Sequence, residues 1–516
     1  MPLATWTIII LINNENNLLT NTHRIYDDIV RNYGDSTLIN IVLIIDQLRI
    51  EIDPTISANK YSYLRSDKFR NLTIYKINQK DFQNLNYVSS TPYFEENNHE
   101  RDNLYKICNV EFYLRKVKTA FPAQHYGFIY KSHGGQTTDI NSKFVESYLL
   151  RLEAEEIYCY GESKPEKYFI NTNNVIQRLS GKWRTHDEKD WAPPTFDVIE
   201  TKKGTAIPEE VLIIYIGKDS KALSYNGMND ALKKNFTSEE LQFVVLDCCW
   251  GMRLEMIDLF KDTCKYFVAS ADESSSAGIG YGSLTRYITD DPSIKPDELA
   301  KLIIANYYIQ QYKDYINPKD SEDKTFFYYG ISFTCVDNSF YESTSNLFKL
   351  FCFTLTNLLK IESCKDEFFD ILKHCRRKCK DYTYYRSDVY HMYNIDIIWF
   401  TENLIASIEK SENKHDFLRL HKLSLELIVQ LKLKLILAFT HNNYKIGNTE
   451  DNESYLGGYG LTITFPKKST AILDKQIVTI DSILYNDERA NYPFFEESGW
   501  GQFMHLYHNY LTPERP

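Results

Sequence analysis

Six short, nearly unbroken apolar runs punctuate the first two-thirds of the chain: WTIIILI (6–12), INIVLIID (39–46), LTIYKI (72–77), YGFIY (126–130), LQFVVLD (241–247) and YFVAS (266–270). Runs of this length without polar alternation predict strands buried on both faces, as in a parallel sheet covered by helices. Segments of helical character lie between them, such as 101–119 and 250–263. Strand–helix alternation of this kind predicts an open α/β sheet. Residues 141–215 break the rhythm with the stretch KWRTHDEKDWAPPTFD, which is charged and carries Trp183, Trp191 and the Pro193–Pro194 pair. That composition marks an insertion between two sheet strands. From about 340 to 440 the pattern turns helical, in NLFKLFCFTLTNLLK and LRLHKLSLELIVQLKLKLILAF, where apolar residues recur at three- and four-residue spacing. A helical core explains those stripes better than a cofactor box. The final stretch returns to β character at YGLTITFP (459–466).

Composition narrows the function classes. At roughly 100–200 residues per domain, 516 residues suggest two to four domains. A hydrophobic fraction of 43% and a charged fraction of 25% describe a globular chain and exclude global disorder. The net charge of -11 argues against a nucleic-acid partner, which calls for a basic face. Ten cysteines are too sparse for a disulfide scaffold and read as free thiols in a reducing compartment. His374, Cys375 and Cys379 lie close together, but no second ligand pair follows at zinc-site spacing, so no metal is expected there. The N-terminus lacks a basic n-region and its apolar run is too short for a signal peptide, so the expected location is cytoplasmic, or secreted if a leader has been trimmed. No stretch approaches the ~20 apolar residues of a membrane span, so no membrane partner is expected. The oligomeric state leaves no mark in the sequence.

Two strand ends carry candidate chemistry. In YGFIYKSHGG an apolar strand runs into His133, Gly134 and Gly135; in LQFVVLDCCWGMRLEM another runs into Asp247, Cys248 and Cys249, with a helix expected from about Gly251. Open parallel sheets bind ligands at the carboxyl ends of their strands. A Cys and a His delivered there supply a nucleophile and a proton carrier. The N–H of Gly134, together with that of Cys249, is suited to bind an oxyanion, and a helix N-terminus just past Cys249 would favour the thiolate. Taken singly, neither motif decides anything. A strand-end Cys is more often buried filler than a nucleophile, and side-chain alternation sends one of Cys248 and Cys249 toward the core without saying which.

Together with their flanks, these motifs resemble the clostripain-like cysteine peptidases of the caspase, legumain and gingipain fold group. YGFIYKSHGG is similar to the family's strand ending in His-Gly. VVLDCCWGMRLEM is similar to its nucleophile block, with Glu255 in the following helix. YFVASADESSSAGIGY (266–281) is similar to its next strand and acidic turn. WTIIILINNENNL, PDELAKLIIANYY, ISFTCVDNSFYESTSNL, YGLTITFP and SGWGQFMHLY extend the resemblance over nearly the whole chain outside 141–215. It implies a caspase-like α/β/α sandwich with a mostly parallel central sheet at 1–338, carrying the insertion 141–215, and a helical and β accessory region at 339–516.

The resemblance also implies roles. Cys249 takes the nucleophile position, His133 the general acid–base position, and Asp247 the wall of a pocket for the residue preceding the scissile bond, usually Arg or Lys. The family's second acid before the Gly-aromatic turn is Ala277 here, which leaves Asp272 and Glu273 to supplement the pocket. The expected activity is a cysteine endopeptidase cutting protein or peptide substrates after a basic residue. The alternatives are the same fold cutting after a non-basic residue, or a catalytically silent binding module. Retention of both His133 and Cys249 favours the enzyme. No cofactor is required for the chemistry. Some members depend on calcium, which the resemblance leaves open here. The acidic run NTEDNES (448–454) is the candidate loop, although it lacks helix–loop–helix spacing. A cut within 141–215, after Lys182, Arg184 or Lys189, is the expected route if the chain processes itself, and a folded decorative subdomain is the rival reading.

Overall fold

In the computed structural model the apolar runs become strands. The residues described are 3–13, 19–34, 36–46, 73–77, 90–94, 107–132, 155–160, 165–170, 176–180, 197–200, 212–216, 225–272, 274, 278–311, 331–379, 381–382, 394–442, 458–466, 470–473, 476–479 and 493–511. In chain order they begin with β1 (Ala4–Asn13), α1 (Leu19–Asn32), β2 (Ile39–Asp46), β3 (Thr73–Ile77), β4 (Ser90–Phe94), α2 (Ile107–Ala120) and β5 (Ala123–Lys131). The insertion supplies β6 (Glu155–Tyr160), β7 (Pro165–Ile170), β8 (Ile176–Ser180), β9 (Asp197–Glu200) and β10 (Leu212–Ile216). Next come α3 (Tyr225–Asn235), β11 (Leu241–Asp247), α4 (Leu254–Phe260), β12 (Tyr266–Ala269), α5 (Tyr281–Asp290), α6 (Pro296–Gln311) and β13 (Ile331–Asp337). The chain continues with α7 (Tyr341–Leu358), α8 (Lys365–Lys378), β14 (Asp381–Tyr382), β15 (Asn394–Asp396), α9 (Ile397–Lys410), α10 (Leu418–Gln430) and β16 (Ile436–Asn442). It closes with β17 (Thr462–Thr464), β18 (Thr470–Leu473), β19 (Gln476–Thr479), α11 (Phe494–Glu497) and α12 (Trp500–Leu511).

Two compact units divide these elements: Met1–Asn235 with Tyr281–Ser293, and Phe236–Gly280 with Ile294–Pro516. In the first, β1 runs parallel to β2 on one side and to β5 on the other, with Ile10 opposite Leu43 and Ile129. Ile8 to Ile12 are all buried, as expected for a strand covered on both faces. The third apolar run departs from expectation, because β3 pairs antiparallel with β2, and β4 antiparallel with β3. An apolar run reports burial, not direction. Helix α1 is tied to this sheet by the Tyr33 hydroxyl, which donates to the Ile39 carbonyl at 3.0 Å. Its Asp28 carboxylate accepts the N–H of Gly282 at the start of α5, at 2.6 Å. The insertion strands form their own antiparallel sheet in the order β10-β6-β7-β8-β9. The bonds after Lys182, Arg184 and Lys189, with Trp183 and Trp191, lie outside the described residues.

The second unit is built on β11, buried along its whole length and parallel to β12. β13 pairs antiparallel with β12, and β16 antiparallel with β13. Helix α6 covers this sheet with Tyr307 stacked on Phe333 at 4.2 Å between ring centroids. The helical pattern of 340–440 forms α7 to α10, with one departure: the last stripe does not stay helical. After α10 comes a single π-turn at Leu431–Leu435, and from Ile436 the chain is extended. Phe348, Phe400, Phe465, Trp500, Phe503 and Tyr507 form an aromatic core around β17 and α12. The chain is thus mixed α/β, with mostly parallel inner strands flanked by helices. No helix among the described residues is long and apolar enough to cross a membrane.

Candidate active site

Strand β11 delivers the Asp247–Cys248–Cys249 block to its carboxyl end. Asp247 and Cys248 are fully buried, whereas Cys249 is only partly covered. Every other cysteine with a described side chain is buried. Burial pushes the thiol of Cys375 up to about 11. It raises those of Cys264, Cys335, Cys352 and Cys364 as well, because a thiolate in an apolar interior lacks solvation.

The turn after Cys249 is unusual. Trp250 holds φ at 54°, the one non-glycine residue with positive φ among those described. Gly251 then passes so close to the sheet that an added Cβ would lie 3.0 Å from Ala269 Cβ and 3.3 Å from Leu246 Cβ. Three main-chain links hold this turn. Trp250 N–H donates to the Asp272 carbonyl at 3.0 Å, Met252 N–H to the Ser270 carbonyl at 2.8 Å, and Thr462 N–H to the Met252 carbonyl at 3.2 Å. The Ser270 hydroxyl bridges the carbonyls of Asp272 and Ser332, at 2.8 and 2.6 Å.

The helix expected from about Gly251 begins only at Leu254, with Arg253 at its cap, and is seven residues long. A loop amide meets the sulfur: Ser274 N–H donates to Cys249 Sγ at 3.3 Å. The Ser274 carbonyl and hydroxyl lie 3.9 and 4.0 Å from the same sulfur. Just beyond, Arg253 and Glu255 are both buried, 3.9 Å apart, and Glu255 Oε1 accepts the Thr464 hydroxyl at 2.9 Å.

Asp247 is buried two residues before the thiol. Asp272 is also buried, and its carbonyl serves the Trp250 turn. His133, Gly134, Glu273 and Ala277 lie outside the described residues, as does the run 448–454. The described part of that segment ends at Ser132, immediately before His133, after Lys131 closes β5. No group of three or more His, Cys, Asp or Glu side chains among the described residues is placed to hold a metal ion. Ser274, Trp250 and Ser270 are additions that sequence reasoning did not single out. Their role runs mainly through the main chain, which leaves no residue-type signal.

The family model for the clostripain family matches residues 214–491 of the chain. The matched span includes Asp247, Cys249, Asp272 and Glu273, and begins after His133. Among solved structures, the chain is similar to a secreted C11 cysteine protease from Bacteroides thetaiotaomicron in complex with an irreversible peptide inhibitor. That likeness has 12% identity, a TM-score of 0.54, and covers 96% of this chain and 99% of that one. It is also similar to an inactive zymogen C11 protease from Parabacteroides distasonis, with 12% identity, a TM-score of 0.52 and the same coverage. At that identity the likeness is one of fold. No curated protein matches the chain.

Proposed function

The chain belongs to the clostripain family of cysteine peptidases, and on that premise we propose that it hydrolyses peptide bonds with Cys249 as nucleophile and His133 as general acid–base. The observation that carries the assignment is the contrast within the cysteine doublet: Cys248 is sealed in the core, and Cys249 is the one partly exposed cysteine among those with described side chains. The chemistry needs no cofactor.

In this reading the Cys249 thiolate attacks the scissile carbonyl carbon, and the resulting oxyanion is held by the N–H groups of Gly134 and Cys249. His133 then protonates the departing amine as the C–N bond breaks, leaving a thioester. Water, deprotonated by His133, attacks the thioester, and the acid product leaves with regeneration of the thiolate. Asp247, supplemented by Asp272 and Glu273, favours Arg or Lys before the cut, because a desolvated cation needs a fixed negative partner. We assign the catalytic machinery to 1–338 and treat 339–516 as an accessory region that contributes β16 and β17.

Substitution tests the assignment directly. Cys249→Ala and His133→Ala each abolish peptide hydrolysis, Cys248→Ala retains most of it, and iodoacetamide labels Cys249 as it inactivates. If Cys248 is the labelled and essential residue, the nucleophile is misassigned by one position.

A further inference from the structure

Trp250, directly after the nucleophile, sits in a backbone region that bulky side chains rarely occupy. Such a conformation persists only where the surroundings over-determine it. Trp250 N–H and Met252 N–H are fixed by the segment just past β12, at Asp272 and Ser270. The Met252 carbonyl is fixed from elsewhere. It accepts twice from one residue, the N–H of Thr462 at 3.2 Å and the hydroxyl of Thr462 at 2.6 Å, across 210 positions of chain. Thr462 is fully buried. Valine would fill the same volume and suit a strand equally well, so what threonine adds at this position is its hydroxyl donor.

We infer that Thr462 is a positioning residue for the nucleophile: by saturating the Met252 carbonyl it fixes the turn that presents Cys249. The inference rests on Cys249 being the nucleophile. Thr462 is in turn held in place by Asp396. Oδ1 of Asp396 accepts the N–H groups of Ile398 and Trp399 and so caps α9, while Oδ2 accepts those of Tyr459 at 2.7 Å and Gly460 at 2.9 Å. Gly460 has φ of 69°, and a Cβ there would lie 2.6 Å from Thr334 Oγ1 and 2.7 Å from Ser332 Oγ. Glycine therefore lets the segment lie against β13, two residues before Thr462.

The test uses the full chain with Thr462→Val, Thr462→Ser and Asp396→Asn. Asparagine keeps an acceptor for the α9 cap but turns an NH2 toward the two amides of the 459–460 segment. Thr462→Val should lower kcat about tenfold with KM within about twofold, since an underdonated buried carbonyl disturbs the turn and not substrate binding. The alkylation rate of Cys249 should change with it. Thr462→Ser should stay close to wild type, and Asp396→Asn should reproduce the kcat loss. Wild-type kcat in Thr462→Val overturns the inference, as does an equal fall in Thr462→Ser, or a fall matched by loss of folded protein in thermal unfolding. Full activity in Cys249→Ala would instead overturn the assignment of the nucleophile, which separates the two failures.

Discussion

The N–H of Ser274 points at the sulfur of Cys249 from 3.3 Å, so the loop after β12 supplies the thiol with a main-chain donor. A hydrogen bond to a charged acceptor favours the charged form. Ser274→Pro removes that donor, and the pH profile of iodoacetamide alkylation should shift upward. Ser274→Ala keeps the N–H and loses only a hydroxyl 4.0 Å away, so its profile should match wild type. Equal shifts in both variants would assign the effect to the hydroxyl.

Trp250 should invert a familiar ranking. Glycine is usually the more destabilising replacement, by about 0.5–1 kcal/mol relative to alanine in regular structure. At φ of 54° the order reverses, because alanine keeps a Cβ clash worth about 1–2 kcal/mol that glycine lacks. Thermal unfolding should therefore find Trp250→Gly more stable than Trp250→Ala.

Asp396 gives a pH dependence. Burial raises its carboxyl from 3.8 to about 6, outweighing the backbone donors that favour the charged form. The folded state thus holds this proton more tightly than the unfolded state. The group opposes folding most strongly above pH 6, and stability is regained as pH falls through about 6 toward 4. The gain is on the order of 1–3 kcal/mol. Denaturant midpoints measured between pH 7 and 5 should carry this slope in wild type and lack it in Asp396→Asn, which does not titrate.

For specificity, Asp247→Asn should depress cleavage after Arg far more than cleavage after a neutral residue, by about 2–5 kcal/mol of lost charge pairing. Paired peptide substrates differing only at that position give the measurement. Equal losses would make Asp247 structural, and a wild type that cuts after an acidic or large apolar residue would remove the basic preference altogether.

The insertion allows a cut without separation. The candidate bonds after Lys182, Arg184 and Lys189 fall between Ser180 and Asp197, the facing ends of the paired strands β8 and β9. Self-processing should therefore yield fragments that part on a denaturing gel and stay together under native conditions. Intact masses identical in wild type and Cys249→Ala would exclude self-cleavage.

Much of the architecture was legible because burial writes itself into composition. The run at 39–46 and the run at 241–247 coincide with β2 and β11 to the residue. Direction left no such mark, which is why β3 turned out antiparallel. The switch from helix to strand at Ile436 was hidden because the apolar stripe of α10 runs through Leu431 and Leu435 straight into ILAFT, with no glycine or proline between. At the site, the cysteine doublet was visible and the resemblance selected its second member. The fixing of the turn was not, because it depends on a carbonyl, two loop amides and a threonine more than two hundred positions away.

That separation orders events during synthesis. The nucleophile strand emerges long before Thr462 and Thr464, which reach back to Met252 and Glu255 across 210 and 209 residues. At about 5–20 residues per second, a ribosome needs roughly 10–40 s to cover that distance. Throughout that interval the turn has its Ser270 and Asp272 contacts but lacks those of Thr462. The nucleophile is therefore made well before the strand whose threonine completes its support.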